Sequence, residues 1–179
     1  MRQKLINAKL LQYSAGMAQV AWNRFQNNFY LERGMSLATI GSLKGTGLLL
    51  KIVGEPMFSV LADVTEPKLV YAVCMIFGTL TLEILRLTNP LTFVVVLWVK
   101  ILRITVAPAT TLVTTASLHL IRGSSEGFGE QRAFGSLAWG TGAFITGLAI
   151  DKFGIDAIFF ITYFFHSICL VVVMLVLPR

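Results

Sequence analysis

Residues Ser36 to Lys68, SLATIGSLKGTGLLLKIVGEPMFSVLADVTEPK, form an apolar stretch long enough to cross a bilayer, yet they place Lys44, Lys51 and Glu55 inside the crossing. As a helix, the part from Ser36 to Ala62 is about 40 Å long, a full span with some tilt. Lys44 and Lys51 are seven apart, about 20° on a helical wheel, and Glu55 lies about 40° further on, so the three share one face. That face cannot look at lipid. A cation at the bilayer centre costs roughly 2.5 to 3.5 kcal/mol even on the gentlest scale, so such residues face a protein seam or a water-filled cavity. The stretch therefore needs other helices around it, and the rest of the chain supplies them.

Of the 179 residues, 55% are hydrophobic and 13% charged, about half the charge of an ordinary soluble domain, which places the chain in a membrane. The net charge of +6 does not point to nucleic acid. No basic run or aromatic-interleaved patch exists, and Arg24, Lys44, Lys51, Lys100 and Arg103 all fall within hydrophobic segments. Cys74 and Cys169 sit in apolar runs on separate segments, which argues for packing over a disulfide or a metal site, and no cofactor is expected. The N-terminus MRQKLINAKLLQ shows no removable signal sequence, so the first helix itself should direct insertion.

The expected fold is all-α, a polytopic membrane protein forming one transmembrane domain over residues 1–179. Six spans are expected at about 8–31, 36–62, 68–86, 91–120, 132–151 and 155–177. The third (LVYAVCMIFGTLTL) and sixth (AIFFITYFFHSICLVVVMLVL) are greasy throughout and read as outer walls facing lipid, with His166 as a packed histidine. The first, second and fourth carry Arg24, then Lys44, Lys51 and Glu55, then Lys100 and Arg103, and read as enclosing something polar. Pro108 should kink the fourth. The fifth, AFGSLAWGTGAFITGLAI, has small residues at Gly140, Gly142 and Gly147 that suit close helix packing.

Loop charges give an orientation. With the N-terminus inside, Arg2, Lys4, Lys9, Lys68, Arg122, Arg132 and Arg179 are cytoplasmic, against Arg33, Arg86 and Lys152 outside, so both termini are expected in the cytoplasm. A faint repeat supports two sets of three helices. Leu61-Ala62-Asp63 ends the second span and Leu148-Ala149-Ile150-Asp151 ends the fifth, as in the 3+3 inverted arrangement of secondary transporters.

The run PMFSVLADVTEPK resembles the cytoplasmic loop between the second and third helices of the major facilitator superfamily, where a small residue precedes Ala-Asp and a basic turn. Asp63 matches the acidic residue of that loop motif. NNFYLERGMSLATIG between the first two spans is similar to the lactose-permease-like branch, and RGSSEGFGEQRAFGSLAWGTGAFITG, from Arg122 to Gly147, resembles the start of its fifth helix. The resemblance covers nearly the whole chain and implies the N-terminal six-helix half of a twelve-helix fold. Two positions depart from the pattern. The loop after Asp63 carries one cation, Lys68, where the family has several arginines, and Thr114 stands near a position often acidic in that branch.

The charges then have a reading of their own. Arg24, Lys51, Lys100 and Arg103 are candidates for binding an anionic or polar solute, with Glu55 as a coupling or ion-pairing acid. Lys51 and Arg103 come out near mid-membrane. The competing reading pairs Lys51 with Glu55 at i, i+4 and lets the outer cations snorkel to headgroups. An enzyme would need a nucleophile with a base, or paired acids, at helical depth. His119 and His166 are isolated and Asp63 and Asp151 lie at opposite ends, so no catalytic residue is assigned. Expected partners are membrane lipid, a small-molecule solute and a second six-helix unit, whether a C-terminal half, a second copy or a partner subunit. The end at Leu177-Pro178-Arg179, just after the sixth span, reads as that of a fragment or truncated product. A half-length protein with a structural or regulatory role is the alternative.

Overall fold

Helix boundaries fall where the local chemistry requires them. The computed structural model describes residues 2–103, 108–122 and 127–176, and within its helices the side chains at 2, 55, 58, 59, 62, 63 and 108–110 lie outside the described set. The first helix, α1 (Arg2–Glu32), stops at Gly34, whose φ of 82° is left-handed. There the Met35 N–H donates to the Tyr30 carbonyl at 3.0 Å and the Gly34 N–H to that of Leu31 at 2.9 Å, a Schellman closure that uses carbonyls left over at the helix end. Ser36 then caps α2 (Leu37–Val64) by accepting the Thr39 N–H at 3.2 Å, and α2 continues through Pro56. Pro67, at the first position of α3 (Pro67–Leu87), lacks an N–H where none would be bonded. Thr92 caps α4 (Phe93–Leu102), and α5 (Pro108–Ile121), α6 (Phe128–Phe153) and α7 (Ala157–Val176) complete the described helices. Gly154, at φ 80°, closes α6 through its N–H to the Ile150 carbonyl at 2.8 Å.

Among the described residues there are seven helices and no strand, and four of the helices are long and apolar enough to cross a membrane: α2 over Leu37–Gly54, α3, α6 and α7. α1 has the length, with 31 residues, but Gln12, Gln19, Asn23, Arg24, Gln26, Asn27 and Asn28 lower its apolarity. The fourth expected span divides into α4 and α5, of 10 and 14 residues, and positions 104–107 between them lie outside the described residues. The kink expected at Pro108 falls on this divide, where Pro108 opens α5.

α3 and α7 keep the lipid-facing side expected of outer walls, with Val73, Ile76 and Leu80 of α3 and Phe160, Phe164 and Val171 of α7 more than half exposed, but their apolar windows are also 44% and 39% buried, against 17% for α2 and for α6. The reason is α1. It packs against α5, α6 and α7, and α3 packs against α7, α4 and α5, so a greasy α7 lies between α1 and α3 and fills the core. Trp22, Phe29 and Tyr30 of α1 meet Phe159 of α7 there, with Phe29 and Phe159 edge to face at 5.0 Å between centroids. A second cluster joins Leu11, Ala15 and Ala18 of α1 to Tyr71 and Met75 of α3 and Cys169 of α7.

Small residues set the closest contact. A Cβ at Gly142 would stand 2.3 Å from Val20 Cγ1, and one at Gly16 would stand 2.7 Å from Ala138 Cβ, so α1 and α6 approach at backbone distance. Gly140 and Gly147, also expected to pack, are corrected: a Cβ at either meets nothing within 4 Å, because both point away from α1. Gly16 was missed because it stands alone in α1, without a small partner four residues away on the same helix.

Candidate functional site

α1 carries the polar strip of the site. Gln19, Trp22, Asn23, Gln26 and Tyr30 recur at helical spacing along one side and line a cavity of about 510 Å³. α2 adds Lys44 and Lys51 to its wall, α4 adds Lys100 and Arg103, and Trp139 of α6 and His166 of α7 complete its polar and aromatic lining. The volume is within the range of small-molecule sites.

Arg103 is the best-anchored cation. It is the C-cap of α4, and its guanidinium donates to the Gly78 carbonyl of α3 at 3.3 Å while lying 5.6 Å from the centroid of the Trp22 ring. Trp22 is itself packed edge to face with Tyr30 at 6.0 Å and, tilted, against Phe159 at 5.6 Å. A cation over a desolvated indole gains about 2 kcal/mol, which offsets part of the cost of withdrawing the charge from water. The Lys100 ammonium rests over Gly47 of α2, 3.3 Å from where a Cβ would stand, within the electrostatic reach of Arg103 and Lys44. Arg33 pairs with Asp156 and Arg86 with Glu83, and neither pair involves Lys44, Lys100 or Arg103.

Of the expected solute-binding residues, Lys51, Lys100 and Arg103 come together in this lining, and Arg24 does not. Arg24 is exposed, and the helical step of about 100° from Asn23 turns it past the edge of the cavity arc. Glu55 and Asp63 lie on α2, Asp63 in its last turn, and their side chains are outside the described residues.

Lys44 and the amides of α1 line the cavity without having been among the binding residues expected from the sequence. His166 is buried in the cavity wall, with Nδ1 2.9 Å from the Thr79 hydroxyl, which also donates to the Met75 carbonyl. This burial fits the packed histidine expected from the sequence. The amides had a signal of their own, since Gln19, Asn23 and Gln26 are spaced i, i+4, i+7. Trp22 and Trp139 line the cavity, whereas Trp98 is 61% exposed. Both cysteines are buried thiols, Cys169 with its sulfur 2.9 Å from the Tyr71 hydroxyl.

Chemically the cavity offers cations, amides and aromatic faces, a set that attracts and orients a small anion or polar solute. A model of the MFS_1 like family matches residues 25–178 of the chain. Neither a search of curated proteins nor one of solved structures returned a match.

Proposed function

The chain belongs to the MFS_1 like family, a major facilitator superfamily relationship that makes it a transporter-type membrane protein, and on that premise we propose that it forms the six-span N-terminal half of a secondary transporter, moving a small polar or anionic solute by alternating access. The observation that carries this reading is the meeting of Lys44, Lys51, Lys100 and Arg103 from two helices in one cavity walled by the amides of α1. Cations gathered at membrane depth have a reason to be there if the solute brings negative charge. In this reading Lys51, Lys100 and Arg103 bind solute, Glu55 is the coupling or ion-pairing acid, and Arg24 is not part of the site. The role is transport without catalysis.

α4 and α5 together would supply one broken span, and α1 a span whose polar side faces the cavity, giving six with both termini in the cytoplasm. The outward faces of α2 and α6 suit a second six-helix unit: Leu49, Ile52 and Val53 of α2 and Phe144 and Leu148 of α6 are all more than half exposed. That unit would be a C-terminal half, a second copy or a partner subunit, which an exposed cavity requires in order to alternate.

The test is uptake by proteoliposomes holding the assembled transporter, offered an isotope-labelled metabolite extract and read by mass spectrometry of the lumen. Arg103→Gln and Lys100→Gln should each lower accumulation of the transported solute by about ten-fold, the size of one lost charged contact. Accumulation equal to the parent protein's in both variants would remove this cavity from the solute path.

A further inference from the structure

Met75 and His166 line two cavities at once. Besides the central one they border a second, of about 180 Å³ between α3 and α7, which Ile76 and Leu80 of α3 and Ser167 and Leu170 of α7 also line. This second cavity is a groove on the lipid-facing side, since Ile76 and Leu80 are more than half exposed and Ser167 is exposed. Its two hydroxyls are spent on their own helices: Ser167 donates to the Tyr163 carbonyl and Thr79 to that of Met75, each at 2.9 Å. Apolar contact is what the groove has to offer. Between it and the polar interior stand a flexible thioether and an imidazole tied through Nδ1 to the Thr79 hydroxyl at 2.9 Å. Arg103 is anchored on the neighbouring residue of α3, donating to the Gly78 carbonyl at 3.3 Å. The anchored cation and the partition therefore meet α3 at adjacent positions.

We infer that the solute is a single-chain anionic amphiphile of the fatty-acid type, with its carboxylate at Arg103 and its tail passing between Met75 and His166 into the groove between α3 and α7. This rests on the solute reading of the cavity and narrows it from any small polar or anionic solute to one with an apolar tail. A guanidinium presents five N–H donors in a planar fork that matches a carboxylate, and the Gly78 carbonyl takes one of them. The tail belongs in the groove for a different reason. Lipid chains are as apolar as the side chains of Ile76 and Leu80, so a hydrocarbon chain held there gives up little by leaving the bilayer. Folded among the amides and ammonium groups of the central cavity, the same chain would strip those polar groups of water without replacing its hydrogen bonds. A wholly polar solute has no use for the apolar side slot. Met75 is the side chain that gives way to the tail, while His166, held by Thr79, keeps the other side of the passage in place.

The full chain in phosphatidylcholine nanodiscs tests this by photolysis with a decanoate that carries a diazirine at the end of its tail, the adducts being mapped by mass spectrometry. Adducts should fall on Ile76, Leu80 and Leu170, saturate with probe, and be competed by decanoate but not by acetate, which lacks the tail, or by decanol, which lacks the charge. Arg103→Gln should weaken the apparent affinity of the probe about ten-fold, as for one lost charged contact. Ser167→Trp fills the groove from an exposed position, so it should abolish these adducts while unfolding at the temperature of the parent protein. Adducts on the same residues that neither competing decanoate nor Arg103→Gln reduces are contacts made from the bilayer, and they overturn the inference. So does saturable labelling that persists in full in Ser167→Trp. Groove adducts that meet every condition, without uptake of decanoate into proteoliposomes, uphold the amphiphile site while removing the transport reading. Uptake confined to wholly polar solutes keeps transport and overturns the amphiphile.

Discussion

At the scale of single residues, what matters is which side of its helix a small or charged side chain occupies. Gly142 and Gly147 are five apart in one apolar helix, yet a Cβ collides with Val20 at the first and meets open space at the second. Gly142→Val should therefore destabilise the chain by about 1 to 3 kcal/mol through overpacking against α1. Gly147→Ala should be neutral or stabilising by up to about 1 kcal/mol, because it removes backbone freedom without a clash. Unfolding in mixed micelles under a denaturing detergent gradient measures both, and equal effects would mean that α1 and α6 do not meet as described. The same geometry separates Arg24 from Asn23. One residue along the helix decides whether a polar group lines the cavity or leaves it.

Among elements, α1 organises the bundle because it is the helix with the most to hide from lipid. Its amides find the cavity, and its aromatic end packs on α7, which is why one side of the more apolar α7 is buried. A polar tie fixes α7 to α3 as well. Tyr163 of α7 donates to Glu83 Oε2 at 2.7 Å, Glu83 also accepts from the guanidinium of Arg86, and that guanidinium lies 5.3 Å from the centroid of Phe160. Tyr163→Phe removes the bond between helices and leaves the Glu83–Arg86 pair intact, so it should cost about 1 kcal/mol. A double-mutant cycle with Glu83→Gln checks it; a coupling energy near zero would show that packing alone holds α3 on α7.

For the whole molecule, the predictions come from the cavity and from the outward helix faces. With Cys74 and Cys169 replaced, single cysteines at Asn23 and Lys100 should react with a membrane-impermeant maleimide, since both positions line the cavity, while one at Val20, buried between α1 and α6, should stay silent. Silence at positions 23 and 100 from both sides of the membrane would leave a sealed bundle without a solute path. The outward faces of α2 and α6 predict a second contact. Cysteines at Ile52 or Phe144 should cross-link to a complementary six-helix unit or to a second copy in membranes, whereas one at Leu82, fully buried in the core, should not. Absence of any cross-link from the first two would assign those faces to lipid.

The one-dimensional pattern was enough for the class and for three of the cations that line the cavity. An apolar chain with five cations inside its greasy segments must be a helical membrane protein that hides those charges from lipid, because the cost of a bare charge in hydrocarbon exists before any fold is chosen. Most helix ends were legible for a similar reason: Gly34, Ser36 and Pro67 act within a few bonds of themselves. A helical wheel fixes the angles between residues on one helix but not the direction in which the wheel points. Only the packing of α1 against α5, α6 and α7 turned Asn23 inward and Arg24 out and buried one side of α7, and only the meeting of α2 and α4 laid Lys100 over Gly47. These are contacts between residues far apart in the chain, and their energies depend on neighbours that no local spacing names.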